Sequence, residues 1–205
     1  FDRLLSLMRE ERFSTSVAFI PWNHRRSNRY VADLFRRFSA HLSMSVHGCD
    51  HTGGEFASTD TAFLRGQAAR GLSWMTKHRE LTGVGFDDVM VFPQGRFSTG
   101  AMKALQSCGY LAAVNSTGHP GDGEEGCLRV RVLLDVAVTR FSGFPLFVRH
   151  YPHDVVGLAL DLFLGKPALL VEHHGYFKDG YESLSTIVRT LRRMEPRLEW
   201  TNLST

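Results

Sequence analysis

The residues with the clearest chemical potential are His47 and His51, in the stretch His47-Gly48-Cys49-Asp50-His51. Two imidazoles four positions apart at the mouth of a strand can converge on one point, and neutral imidazole suits zinc, iron, cobalt or nickel. The spacing also arises by chance, so its weight depends on what gathers beside it. Strand ends read from the sequence carry Asn23 and His24, then His47 and His51, then Pro93-Gln94-Gly95, then Asn115, then His173 and His174. In parallel α/β folds functional residues collect at the C-terminal ends of strands. A hydrophobic core gains nothing from this distribution, so a metal or acid–base site is the better reading. Other histidines have plainer ones: His24 as a surface-loop residue, His150 and His153 as loop residues bonding backbone, His78 on a polar helix face. Trp22, Tyr176 and Phe177 could wall a groove, with packing as the competing role.

The elements that must position these residues alternate in type. Residues 1–13 form an amphipathic helix pattern (Phe1, Leu4, Leu5 and Met8 on one face), followed by the apolar run Ser16–Ile20, a strand covered on both faces. A helix carrying Tyr30, Val31, Leu34, Phe35 and Phe38 leads to the strand Leu42–Val46 before His47. A long helix capped by Thr59 or Asp60 turns Phe63, Leu64, Leu72 and Met75 inward. The strand Val89–Phe92, a helix stopped at Gly109 and the strand Leu111–Asn115 follow. Thr117–Glu125 is a surface loop. Strands are expected at Val132–Val138 and Phe144–Val148, a helix at Val155–Leu164, a strand from Ala168, a final helix through Leu191 and a strand-like Leu198-Glu199-Trp200. Strand, helix, strand, helix predicts a parallel α/β architecture in one domain over residues 1–205.

Composition narrows the function. The 205 residues carry a net charge of +3 and 43% hydrophobic content, a globular balance too mildly basic to imply nucleic acid. Arginine clusters (Arg25, Arg26, Arg29, Arg36, Arg37, and Arg189, Arg192, Arg193, Arg197) read as solvated helix faces that could also favour an anionic polymer. Cys49, Cys108 and Cys127 match no zinc knuckle, and no apolar run reaches membrane-spanning length.

In their order, these motifs resemble the polysaccharide deacetylases of carbohydrate esterase family 4. His47–His51 is similar to the family's H-[ST]-x-x-H, with Gly48 in place of the hydroxyl residue. Phe92-Pro93-Gln94-Gly95 is similar to its R-P-P-Y-G turn without the leading Arg, although Arg96 is close by, and Val171-Glu172-His173 loosely matches its L-x-H. The resemblance implies a distorted (β/α) barrel of about seven strands whose metal is held by one Asp and two His. It implies zinc first, with cobalt, nickel, iron or manganese as alternatives, and a carbohydrate or small amide substrate. His47 and His51 would be the metal ligands, and His173 or His174 the proton donor. Trp22, Asn23, Pro93, Gln94, Gly95 and Tyr176 would face the substrate, and Asp50 would orient a ligand or bond local backbone. The family's T-F-D-D motif, with the base and the metal Asp, is expected upstream of Phe1, the chain starting after the first strand. Phe86-Asp87-Asp88 spells part of it but precedes a strand, so it reads as a solvated loop at the opposite rim. A secreted or periplasmic setting follows from the resemblance alone. The expected reaction is removal of an acetyl group from an N-acetylated sugar. The alternatives are a non-catalytic relative that binds carbohydrate or another partner, and a metallohydrolase of other chemistry such as a phosphoesterase.

Overall fold

The structure is a computed structural model that describes residues 2–123, 134–139, 141–178 and 180–205, with His174 described by its backbone. Six strands run parallel in chain order: β1 (Thr15–Phe19), β2 (Leu42–His47), β3 (Asp87–Val91), β4 (Ala112–Asn115), β5 (Leu146–His150) and β6 (Leu169–Leu170). Helices connect them: α1 (Asp2–Glu11) before β1, α2 (Arg29–Arg37), α3 (Thr61–Thr82), α4 (Thr99–Cys108), α5 (Val155–Phe163), and α6 (Glu182–Met194) after β6. The sheet curls into a half-barrel, and its six strands agree with the expected distorted (β/α) barrel of about seven strands less its first.

Strand alternation divides the side chains between two faces. Val17, Phe19, Met44, Val46, Met90, Ala113 and Leu146 point to the helices and join the main core. Val89, Val91, Ala112 and Val114 point the other way and pack with Phe147, Leu169 and Leu203 in a smaller inner cluster. Phe56, Phe92 and Phe97 are fully buried, and the last two stack at 4.7 Å. Burying such a ring stabilises by roughly 1.5–3 kcal/mol. Because Phe56 and Phe92 touch at 5.8 Å, this cluster also ties the chain after β2 to the turn after β3.

Helix ends follow their sequence signals. Asp60, the second of the two expected caps, accepts from the amides of Ala62 and Phe63. Ser98 caps α4, and Gly109 ends it in the left-handed conformation. Several expectations are corrected. Phe63 is largely exposed. In Val132–Val138, residues 132 and 133 lie outside the described set; of the rest only Val138 pairs, in an antiparallel bridge to Leu146, and Leu134 and Val136 are exposed. Leu198-Glu199-Trp200 joins no strand; Trp200 packs edge-on against Phe13 instead. No described helix is long and apolar enough to cross a membrane.

Candidate active site

His47 ends β2 on the inner face, in register with Val91, Val114 and Phe147 across the neighbouring strands. Its Nδ1–H donates to the Val91 carbonyl at 2.9 Å, which fixes the ring and leaves Nε2 free. Burial pushes the imidazole down to about 4; the Val91 bond opposes this, while the positive charges of His51, Arg149 and His173 add to it. His47 is therefore neutral near pH 7, the form that ligates metal. The His51 ring lies 4.9 Å away, centroid to centroid.

The loop between them has an unusual backbone. Gly48 and His51 both take positive φ, 65° and 62°. At Gly48 a Cβ would lie 2.1 Å from Glu55 Oε1 and 2.4 Å from the Pro93 ring, so only glycine fits. The buried Glu55 carboxylate holds this turn. It accepts from the backbone amides of Cys49, Asp50 and His51 at 3.1–3.3 Å and from Gln67 of α3 at 3.3 Å. Burial raises its pKa above the usual carboxylate value, and these donors pull it back. Asp50 accepts from the Thr52 amide and hydroxyl, the local role expected of it.

The opposite wall comes from β5 and β6. Arg149 lies two residues beyond Phe147, hence on the same face as His47, and its Nε donates to Ser116 Oγ at 3.2 Å. Leu169 of β6 belongs to the inner cluster, and His173 lies four residues further on in extended backbone. His173 stacks against Tyr151 at 6.4 Å, and its charge is felt at His47. His47, His51, Arg149 and His173 thus form one group.

The remaining expected residues are more dispersed. Trp22 is 54% exposed and edges onto Trp74, but its amide donates to the Cys49 carbonyl, so it borders the loop. Asn23 accepts from Arg26. Pro93 is buried under Gly48, Gln94 is exposed, and the Gly95 carbonyl accepts from Asn115 Nδ2. Tyr176 and Phe177 meet edge to face, and Phe177 packs on Tyr181 against the core.

Four readings are overturned. His24 is buried, stacked on Trp74. His78 is buried against Phe19 and shares a 2.6 Å hydrogen bond with Ser27. The His150 ring bonds carboxylates, Asp154 at 2.6 Å and Asp161 at 2.9 Å, because its strand parity turns it toward α5. Asp87 begins β3, buried, where it accepts from Ser43 and Ser204; it does lie at the rim opposite His47. Glu55 and Arg149 went unnoticed in the sequence. Glu55 carried a faint signal, a lone carboxylate after the Gly53-Gly54 turn, whereas Arg149 lay beyond the expected end of its strand.

The two imidazoles fit two positions of a divalent metal site, with one ring already oriented by a backbone carbonyl. Among the described residues no group of three His, Cys, Asp or Glu side chains is placed to hold a metal.

Comparison with solved structures matches the whole sheet and its helices. A provisionally named polysaccharide deacetylase from Mycobacterium smegmatis aligns over 98% of this chain and 72% of its own, with a TM-score of 0.57 and 19% identity. A carbohydrate esterase family 4 pseudoenzyme from Bacillus anthracis aligns over 99% of this chain and 58% of its own (TM-score 0.55, 12% identity). The fold is that of the family 4 deacetylases. The family 4 domain of a multidomain xylanase from the hindgut metagenome of Trinervitermes trinervoides also shares it, over 98% of this chain and 78% of that one (TM-score 0.53, 12% identity). No family model matches the sequence, and neither does any curated protein. Because a pseudoenzyme shares this deacetylase fold, activity has to be argued from the site.

Proposed function

We propose that this protein is a metal-dependent hydrolase that removes an acetyl group from an N-acetylated sugar or a related amide. The supporting observation is the inner-face pairing of His47, its Nδ1 committed to Val91, with His51. In this reading His47 and His51 hold a divalent ion, zinc first, with cobalt, nickel, iron or manganese as alternatives. The chemistry such an ion supplies is polarisation of the amide carbonyl and acidification of bound water. Glu55 keeps the His51 ring in place by fixing the backbone that carries it. His173, whose charge reaches His47, hands a proton to the departing amine nitrogen, as general acids of this kind do. The resemblance calls for carboxylates as third ligand and as proton acceptor. An upstream sequence with no acidic pair within roughly thirty residues, about one strand and its loop, would remove the base from the scheme.

Metal analysis of the purified full-length protein tests the site. His47→Ala and His51→Ala should each abolish stoichiometric metal binding, and unchanged metal content in both would overturn the assignment. Acetate release from N-acetylglucosamine oligomers, set against phosphate release from a generic ester, then tests the reaction. Phosphate release without acetate release would replace deacetylation by phosphoesterase chemistry.

A further inference from the structure

The wall facing His47 carries a guanidinium that has no counter-charge among the described residues. Arg149 is mostly buried at the end of β5, and its one hydrogen bond among the described residues, from Nε to Ser116, leaves the two terminal nitrogens uncommitted. No carboxylate pairs with it among the described residues. The carboxylates of the adjoining loops are engaged: Asp50 by Thr52, Glu172 by the His173 amide, and Glu55 by its own loop. Burial pulls the guanidinium below its ordinary pKa, as expected for a cation removed from water without a partner. Such a group is costly unless an anion meets it. His47, His51 and His173, coupled to it electrostatically, bring no negative charge.

The approach to this rim has the same character. Trp22 and Trp74 meet at 5.3 Å beside the His47–His51 loop, and Arg70 lies over the Trp74 ring at 5.9 Å. Arg25 and Arg26 are exposed just beyond Trp22. Indole faces suit sugar rings, and guanidinium groups pair with carboxylate and phosphate oxygens through parallel N–H donors.

We infer that Arg149 is a specificity-determining residue: its free guanidinium nitrogens bind an anionic group, a carboxylate or a phosphate ester, carried by the N-acetylated sugar. The inference rests on the proposed deacetylase reading and narrows its substrate to acidic sugars. Hydrogen bonds to an ionised group contribute about 1.5–3 kcal/mol, which corresponds to roughly 10- to 150-fold in affinity or kcat/KM.

The test uses full-length protein and three N-acetylated oligomers: neutral, carboxylated and phosphorylated. Wild type should prefer one acidic oligomer over the neutral one by roughly 10-fold or more. Arg149→Gln should collapse that preference, and Arg149→Lys should restore part of it. Equal kcat/KM for all three oligomers in wild type overturns the inference while leaving deacetylation intact. So does an equal loss on neutral and acidic substrates in Arg149→Gln, which would make Arg149 a partner of the reacting groups. Titration calorimetry with the acidic oligomers separates the two readings. Binding that depends on Arg149 without acetate release upholds the anion site and overturns the hydrolase. Should Arg149→Gln not fold, the wild-type preference and the lysine variant still decide.

Discussion

Replacing Glu55 by glutamine measures how firmly the His47–His51 turn is held. The Glu55 carboxylate accepts from the Cys49 amide, shared by both oxygens at 3.1 Å, from the Asp50 and His51 amides at 3.3 and 3.1 Å, and from the Gln67 amide nitrogen at 3.3 Å, with the Asp50 carboxylate beside it. Glutamine keeps the shape but offers these donors only one acceptor oxygen. At least two charge-assisted bonds are lost, each contributing about 1.5–3 kcal/mol, for a raw loss of about 3–6 kcal/mol. Relaxation offsets part of this. His51 is held at φ 62°, a conformation costing roughly 1–2 kcal/mol for a residue with a Cβ, and a loosened loop regains that amount. The expected loss is therefore about 2–4 kcal/mol in urea denaturation of the metal-free protein at pH 7.5. Hydrogen exchange at the amides of Cys49, Asp50 and His51 should rise in parallel, and metal affinity should fall because the His51 ring is no longer fixed. A loss under about 1 kcal/mol with unchanged amide protection would refute the cradle, since two lost charge-assisted bonds do not give so small a figure.

Gly48→Ser, which restores the hydroxyl residue found in the family motif, should destabilise the protein by about 3 kcal/mol or more in the same assay. The new Cβ meets Glu55 and Pro93 at a positive φ, and a loss within about 0.5 kcal/mol of zero would show that the turn has another conformation. The buried His78 gives a pH signature. Burial lowers its pKa below the ordinary 6.5, so the unfolded chain takes up the proton first. Its contribution to stability is full above about pH 6.5 and is lost as pH falls from there toward the folded value. His78→Gln should flatten the fall in urea midpoint between pH 7.5 and 5; an identical slope in both proteins would sink the assignment. Asp161→Asn, which replaces a carboxylate on the His150 ring, should cost about 1.5–3 kcal/mol, read from thermal or urea unfolding.

The alternation of strand and helix was legible because both periods are written in the apolar residues, and it carried the architecture through β1 to β4 with errors of one or two positions at strand ends. It failed where apolar side chains do not enter the sheet: Leu134 and Val136 look like strand residues but lie exposed. Histidine environments were less legible. His24, His78 and His150 sit in polar-looking local sequence, yet each is enclosed by partners distant in the chain, Trp74, Ser27 and Asp161 among them. The His47–His51 pair was readable because its spacing is local. Glu55 and Arg149 were not, since one acts through backbone amides and the other through strand register, and neither leaves a side-chain pattern in the sequence.

The departures from the family pattern make physical sense together. Where the family has a hydroxyl residue after the first histidine, this chain has Gly48, and the space a side chain would need is filled by the Glu55 carboxylate. The turn is thus fixed from beneath by an acceptor that reaches three consecutive amides, and the glycine is a condition of that arrangement. A similar shift concerns positive charge. The turn after β3 lacks the family's leading arginine; the residue ahead of Phe92-Pro93-Gln94-Gly95 is Val91, buried in the inner cluster. The rim nevertheless has a guanidinium on the same face as His47, supplied by Arg149 from β5. What register retains is the sign of charge at the rim; what it changes is the side from which that charge arrives. Among the described residues Arg149 makes no hydrogen bond to either imidazole, so substrate charge and acetyl removal can be tested independently.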